Sequence, residues 1–208
     1  MHKHSLNLIY GGLAAGEADK ALLMVHGRGG TAKDILGLAS HLNVSDFLLA
    51  APQAGQNTWY PYSFMAPAQQ NEPSLSSALE VLAAAVKVLN GQGFSDERIC
   101  FLGFSQGACL LSEFLARRAT KYGAAFILSG GLIGSQPETE SYRGDFSGTP
   151  VFFGVTDSDP HVPFQRVEVS KEQFDAMGAK VTFEVSPDRP HSIYPEEIVR
   201  INEILLTL

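Results

Sequence analysis

Arg98-Ile99-Cys100-Phe101-Leu102-Gly103-Phe104-Ser105-Gln106-Gly107-Ala108 is the stretch on which the reading of the whole chain turns. Residues 99–102 form an apolar run of strand length, and residues 103–107 have the form G-x-S-x-G. Residues 108–119 follow with strong helix formers. Strand, tight turn and helix in that order are what a nucleophile elbow requires. Ser105 would sit at the strand's carboxyl end, its hydroxyl clear of a turn where only glycine fits beside it. The same five residues also occur by chance in Gly-flanked loops. What decides is whether a base, an orienting acid and two oxyanion donors fall where the fold would put them.

Outward from that stretch, apolar runs alternate with helical patterns. Residues 6–10, 21–25, 47–51, 124–128, 150–155 and 181–185 read as strands. Helices are predicted over 32–42 capped by Thr31, from a Ser74 cap to Gly91, over 164–177 closed by Gly178, and from Pro195 onward. The stripe Leu75, Leu79, Leu82, Val86 and Leu89 is core packing at helical spacing. Residues 53–73 have no period but hold Trp59, Tyr60, Tyr62, Phe64 and Met65, a composition that predicts an ordered loop. Strand and helix in alternation, with no linker and no repeat, predict one α/β domain over residues 1–208 with a mostly parallel sheet.

Composition narrows the function. The chain has 208 residues, 45% hydrophobic and 18% charged, with a formal net charge of -7 and no Lys/Arg-rich run. That balance argues against nucleic acid or an anionic membrane surface as partner. No long apolar stretch follows the N-terminus, so neither a signal peptide nor a membrane anchor is expected. The two cysteines, Cys100 and Cys109, match neither metal nor redox spacing and read as small buried hydrophobes in a cytoplasmic protein.

In a parallel sheet, ligands bind beyond the carboxyl ends of the strands. Those ends carry His26-Gly27-Arg28-Gly29-Gly30, Ser105, Asp157-Ser158-Asp159-Pro160-His161 and, after the last strand, His191. Serine is a poor nucleophile until a base takes its proton. Of six histidines, His2 and His4 are terminal and expected to be mobile, His41 lies in a helical pattern, and His26 is read as structural. His161 rivals His191, but nucleophile, acid, base is the chain order of α/β-hydrolases, and Ser105, Asp159, His191 satisfies it. Asp159, ahead of Pro160, is favoured as the acid over Asp157, which suits a loop brace. The oxyanion donors would be the backbone N–H groups of Gln106 and Arg28. The glycines around Arg28 lack the spacing and the lysine of a phosphate-binding loop.

These residues together resemble the phospholipase/carboxylesterase family of small α/β-hydrolases, which includes acyl-protein thioesterases and bacterial carboxylesterases. The G-F-S-Q-G-A of residues 103–108 and the D-P-x-V-P of residues 159–163 carry the resemblance, which runs from His26 to the last helix. It implies an α/β-hydrolase fold with helices on both sheet faces, no separate lid domain and no cofactor or metal. It also implies a serine esterase acting on a small-molecule ester, with Asp159 as the acid, and points to a homodimer. Residues 187–190 lack the glycines common before the family's histidine, and Arg28 stands where thioesterases carry an apolar residue. The expectation is therefore a carboxylesterase of small esters, with lysophospholipase or thioesterase activity as alternatives and a non-catalytic binding module behind them. Trp59, Tyr60, Phe64 and Met65 would line the acyl or alcohol pocket, or else pack on the core or at a dimer contact.

Overall fold

Seven strands in the order β1-β3-β2-β4-β5-β6-β7 make the frame that positions the site. The computed structural model describes residues 3–208. The strands are β1 (Leu8–Gly12), β2 (Lys20–Val25), β3 (Phe47–Pro52), β4 (Ile99–Phe104), β5 (Ala124–Leu128), β6 (Pro150–Thr156) and β7 (Lys180–Ser186). The helices are α1 (Ala32–Gly37), α2 (Ser74–Gly91), α3 (Gln106–Arg117), α4 (Phe164–Ala176) and α5 (Pro195–Leu205). Only β1 runs antiparallel, against β3; every other neighbouring pair is parallel. Parallel neighbours need crossovers, which α1 to α4 supply except between β5 and β6, where residues 129–149 cross with a 3-10 turn over Thr139–Ser141.

Side chains alternate across the strands, so each face builds its own core. Leu23, Phe101 and Phe153 pack with α2, α3 and α4, whereas Leu22, Leu102 and Phe152 pack with α1 and α5. Strands covered on both faces explain the continuous apolar runs of β2, β4 and β5. The fold is an α/β-hydrolase fold with helices on both faces. Among the described residues, no helix is long and apolar enough to cross a membrane.

Several local expectations are corrected. β1 starts two residues late and runs to Gly12, because its pairing with β3 extends that far. The predicted 32–42 helix stops at Gly37 and tightens into a 3-10 turn over Leu38–His41. Ser40 Oγ donates to the Gly37 carbonyl (2.9 Å), a local bond that competes with helix continuation. Ser74 is the first residue of α2 rather than its cap, and Pro73 holds the cap position. The Glu72 carboxylate does the capping instead, accepting from the Ser76 N–H (3.1 Å) and Oγ (2.8 Å). His4 is not loose: its N–H donates to Ser77 Oγ, its Nε2 meets the Trp59 carbonyl at 2.8 Å and its Nδ1 accepts the Gly55 N–H at 3.2 Å. His2 lies outside the described residues.

α5 opens with Pro195 and places Glu196 and Glu197 in its first turn, where the helix dipole favours anions. Glu197 accepts the Tyr194 N–H at 2.8 Å but is buried against Gly154 of β6. Burial pushes its carboxyl up to about 7, against that hydrogen bond, and the nearby Glu184 and Glu196 push the same way. The folded chain therefore holds a proton that the unfolded chain, with a value near 4.5, releases. This contribution favours folding at low pH and is lost as pH rises between those values. Glu197→Gln keeps an acceptor for Tyr194 and removes the ionisation. Urea denaturation is expected to show wild type losing up to about 3 kcal/mol relative to this variant between pH 5 and pH 8. Parallel stability profiles for the two proteins would contradict the assignment.

Candidate active site

β4 ends at Phe104 and α3 begins at Gln106, which leaves Ser105 alone on the turn with φ 55° and ψ −122°. That backbone region is strained for any L-residue. The sequence allows it by removing two side chains. A Cβ on Gly107 would collide with the carbonyl oxygens of Val25 and His26, and one on Gly103 would lie 2.8 Å from Ala108 Cα. Ser105 N–H donates to Leu128 O (3.0 Å), and its carbonyl accepts the first α3 bond from Cys109 (3.0 Å). The backbone is thus tied to β5 and α3, and the hydroxyl is left facing outward.

Three loops at the carboxyl edge of the sheet meet it. His191, between β7 and α5, brings Nε2 to 2.8 Å from Ser105 Oγ and Nδ1 to 2.6 Å from Asp159 Oδ2. A carboxylate at Nδ1 sets the proton there, leaving Nε2 as acceptor for the serine hydroxyl. Asp159, between β6 and α4, has its side chain fully buried, and its Oδ1 accepts the N–H groups of His161 (2.8 Å) and Val162 (3.0 Å). Asp157 does different work. Its Oδ1 accepts the Asp188 N–H (2.9 Å) and its own N–H donates to Ser186 O, joining the loop of Asp159 to the loop of His191. Thr156 Oγ1 adds a bond to Arg189 O at 2.9 Å. The Phe104 ring lies 5.1 Å from the His191 ring, and the His161 ring meets it edge-on at 5.2 Å. His161 therefore flanks His191, the ring that bonds Ser105 Oγ.

Arg28 leads the loop after β2, and Gln106 is the first residue of α3, where a backbone N–H has no intrahelical acceptor. Among the described residues, no acceptor takes the Arg28 backbone N–H. His26 shapes this loop from within. Burial lowers its pKa, its Nδ1 bonds the Gly27 carbonyl (2.8 Å), and its Nε2 accepts the Ala54 N–H (3.1 Å), the pattern of a neutral ring.

A cavity of about 470 Å³ opens over Ser105, His191 and Gln106. Of the aromatic residues singled out in the sequence, Tyr60, Tyr62 and Phe64 line it. Trp59 does not: it is fully buried behind the wall, and its indole N–H donates to His26 O at 2.8 Å. Met65 packs against the core and lies outside the lining. His161, Val162 and Cys109 are lining residues that the sequence reading did not place there. Only the D-P-x-V-P pattern, by bracketing residues 161 and 162, could have pointed to two of them. Cys109 forms part of the lining one helical turn beyond Ser105. Its thiol is pushed up to about 12 by burial, as is that of Cys100, so neither is a thiolate.

Residues 14–208 match the profile of the phospholipase/carboxylesterase family. A phospholipase/carboxylesterase from Dyadobacter fermentans has a similar solved structure: 47% identity, a TM-score of 0.97 and 99% of each chain covered. Esterase PE8 aligns over 98% of this chain and 99% of its own with a TM-score of 0.82, and at 20% identity it speaks for the fold alone. Acyl-protein thioesterase 1 of Kluyveromyces lactis is 32% identical over 102 residues, 49% of this chain and 45% of that protein. The aligned stretch spans about half the length of such curated relatives.

The packing around the turn has a measurable consequence. Gly107→Ala places a methyl group against two backbone oxygens, and overpacking of this kind destabilises by about 1–3 kcal/mol. The expected result is a lower urea midpoint with an unchanged slope. A variant as stable as wild type would show that the close approach of α3 to the end of β2 is wrong.

Proposed function

Because the chain belongs to the phospholipase/carboxylesterase family, we propose that it is a serine carboxylesterase hydrolysing small carboxylic esters through an acyl-enzyme on Ser105. The observation that carries this reading is the relay Asp159–His191–Ser105, with bonds of 2.6 and 2.8 Å. Ser105 Oγ attacks the ester carbonyl carbon while His191 Nε2 takes its proton. The carbonyl π electrons move to oxygen, and the oxyanion is received by the Arg28 and Gln106 N–H groups. Collapse breaks the bond to the alcohol oxygen, which leaves with the proton held by His191. Water then repeats the sequence on the acyl-enzyme, with His191 as base, and releases the carboxylic acid. Asp159 stays ionised throughout, holding the imidazole tautomer and stabilising its protonated form.

The cavity supports a small ester as substrate: Tyr60, Phe64 and Val162 give an apolar lining, and among the described residues no carboxylate lies on it. A thioester would pass through the same steps, and the name of the Kluyveromyces lactis relative keeps that substrate in view. Arg28 is among the residues that line the cavity, and a charged residue there favours the small-ester reading over a long apolar acyl chain.

A fluorophosphonate separates catalyst from binding module. It is expected to modify the peptide containing Ser105, and Ser105→Ala is expected to abolish both labelling and turnover of aryl acetates. Folded wild-type protein that takes no label would refute the reading. For the acid, Asp159→Asn is expected to lower kcat by about 10⁴, since it permits the wrong imidazole tautomer. Asp157→Asn retains an acceptor for Asp188 and should lose far less. A collapse confined to Asp157→Asn would reverse the assignment.

A further inference from the structure

The two residues assigned as oxyanion donors also hold the cavity wall with their side chains. Arg28 Nη1 donates to Thr58 Oγ1 (3.1 Å) and Pro61 O (3.0 Å), and its Nη2 donates to Tyr60 O (3.0 Å) and Tyr62 O (2.8 Å). All four oxygens belong to residues 58–62, the segment that carries Tyr60 and Tyr62 into the cavity lining. Gln106 grips the same segment from the other side. Its Oε1 accepts the Trp59 N–H (3.0 Å), its Nε2 donates to Tyr60 O (2.8 Å), and Thr58 Oγ1 stands 3.3 Å from that Oε1. Tyr60 O and Thr58 Oγ1 are thus shared by both side chains.

The wall is pinned from behind as well. Trp59 donates to His26 O, His26 accepts from Ala54, and His4 bonds both Trp59 O and Gly55 N–H. The Gly29 N–H closes the loop onto Asn57 O at 2.7 Å. A substrate group that pushes on residues 58–62 therefore pushes on Arg28 and Gln106. An ordinary pocket wall could give way and weaken binding alone. Here displacement of the wall is carried to the two amides that must meet the oxyanion, and such donors act only within a narrow distance range.

We propose that the Arg28 and Gln106 side chains join the oxyanion donors and the 58–62 wall into one unit, making the site select its substrate through turnover more than through affinity. The inference rests on the esterase reading of Ser105 and adds to it two positioning side chains that act through their own backbone amides. Arg28 suits this role through its planar fork, which can serve four acceptors at once; a lysine ammonium at the same place has three donors and no fork.

Two ladders of aryl and alkyl esters test it, one lengthening the acyl group from acetyl to octanoyl and one lengthening the alcohol. For wild type, kcat is expected to fall about tenfold along the ladder whose variable half fills the cavity, with a smaller change in KM. Arg28→Met keeps the backbone N–H and removes the guanidinium. It should flatten that dependence, raising the long-to-short ratio of kcat about fivefold while lowering kcat for the shortest ester, and Arg28→Lys should fall between the two. Thr58→Val removes one of the two oxygens shared by both side chains and should move the ratio the same way, which covers a failure of Arg28→Met to fold. A common factor lost at every chain length would mark Arg28 as merely structural and overturn the proposal. So would wild-type selectivity that lies wholly in KM, or no selectivity in either ladder. Failure of the esterase reading looks different: Ser105 takes no fluorophosphonate and no ester is hydrolysed. Should Ser105 be labelled without ester turnover, the labelling rates of an alkyl fluorophosphonate ladder replace kcat in the same comparison.

Discussion

Everything in this site depends on one residue held where a polypeptide does not ordinarily go. The φ and ψ of Ser105, 55° and −122°, store about 1–3 kcal/mol of local strain. They persist because β4 and α3 leave the turn no alternative. Gly103 and Gly107 let α3 press on the strands, the Ser105 N–H is tied to β5, and its carbonyl starts the helix. The sheet then does the rest. Parallel order brings the ends of β2, β4, β6 and β7 to one edge, so Arg28, Ser105, Asp159 and His191 converge from distant parts of the chain.

Polar side chains turn that convergence into a geometry. Asp159 is buried and satisfied by His191 and two backbone N–H groups, which leaves it one orientation. Asp157, two residues before it, is spent on Asp188. Buried ions elsewhere serve the same end. Arg166 donates to the carbonyls of Leu132, Gly134 and Ser135, and Glu113 accepts from Arg117, Ile133 N–H and Tyr142 OH. Both hold the long connection after β5, which carries a 3-10 turn over Thr139–Ser141. Arg28 and Gln106 extend the principle into the cavity, where the side chain secures what the backbone of the same residue must face.

Much of this was legible in the sequence because the controlling signals are local. Doubly covered strands read as unbroken apolar runs, and the elbow announces itself through glycines that steric contact demands. The order of Ser105, Asp159 and His191 follows from topology. What was not legible is tertiary. Aromatic content marked residues 59–65 as ordered, yet only the fold decides that Tyr60 and Phe64 face the cavity while Trp59 turns inward to His26. Nor does the sequence distinguish an α-helix from a 3-10 turn at residues 38–41, where one Ser40 bond tips the balance. His4 looked like a free terminus because its partners lie 51 to 73 residues away.

The most direct measurement is a crystal structure of the protein after reaction with a fluorophosphonate, whose tetrahedral phosphorus stands in for the attacked carbonyl carbon. The expected structure has phosphorus bonded to Ser105 Oγ, with the phosphoryl oxygen accepting hydrogen bonds from the backbone N–H groups of both Arg28 and Gln106. His191 would remain bonded to Asp159, and residues 58–62 would remain on the Arg28 guanidinium. A phosphoryl oxygen pointing away from both amides, or phosphorus on another residue, would contradict it.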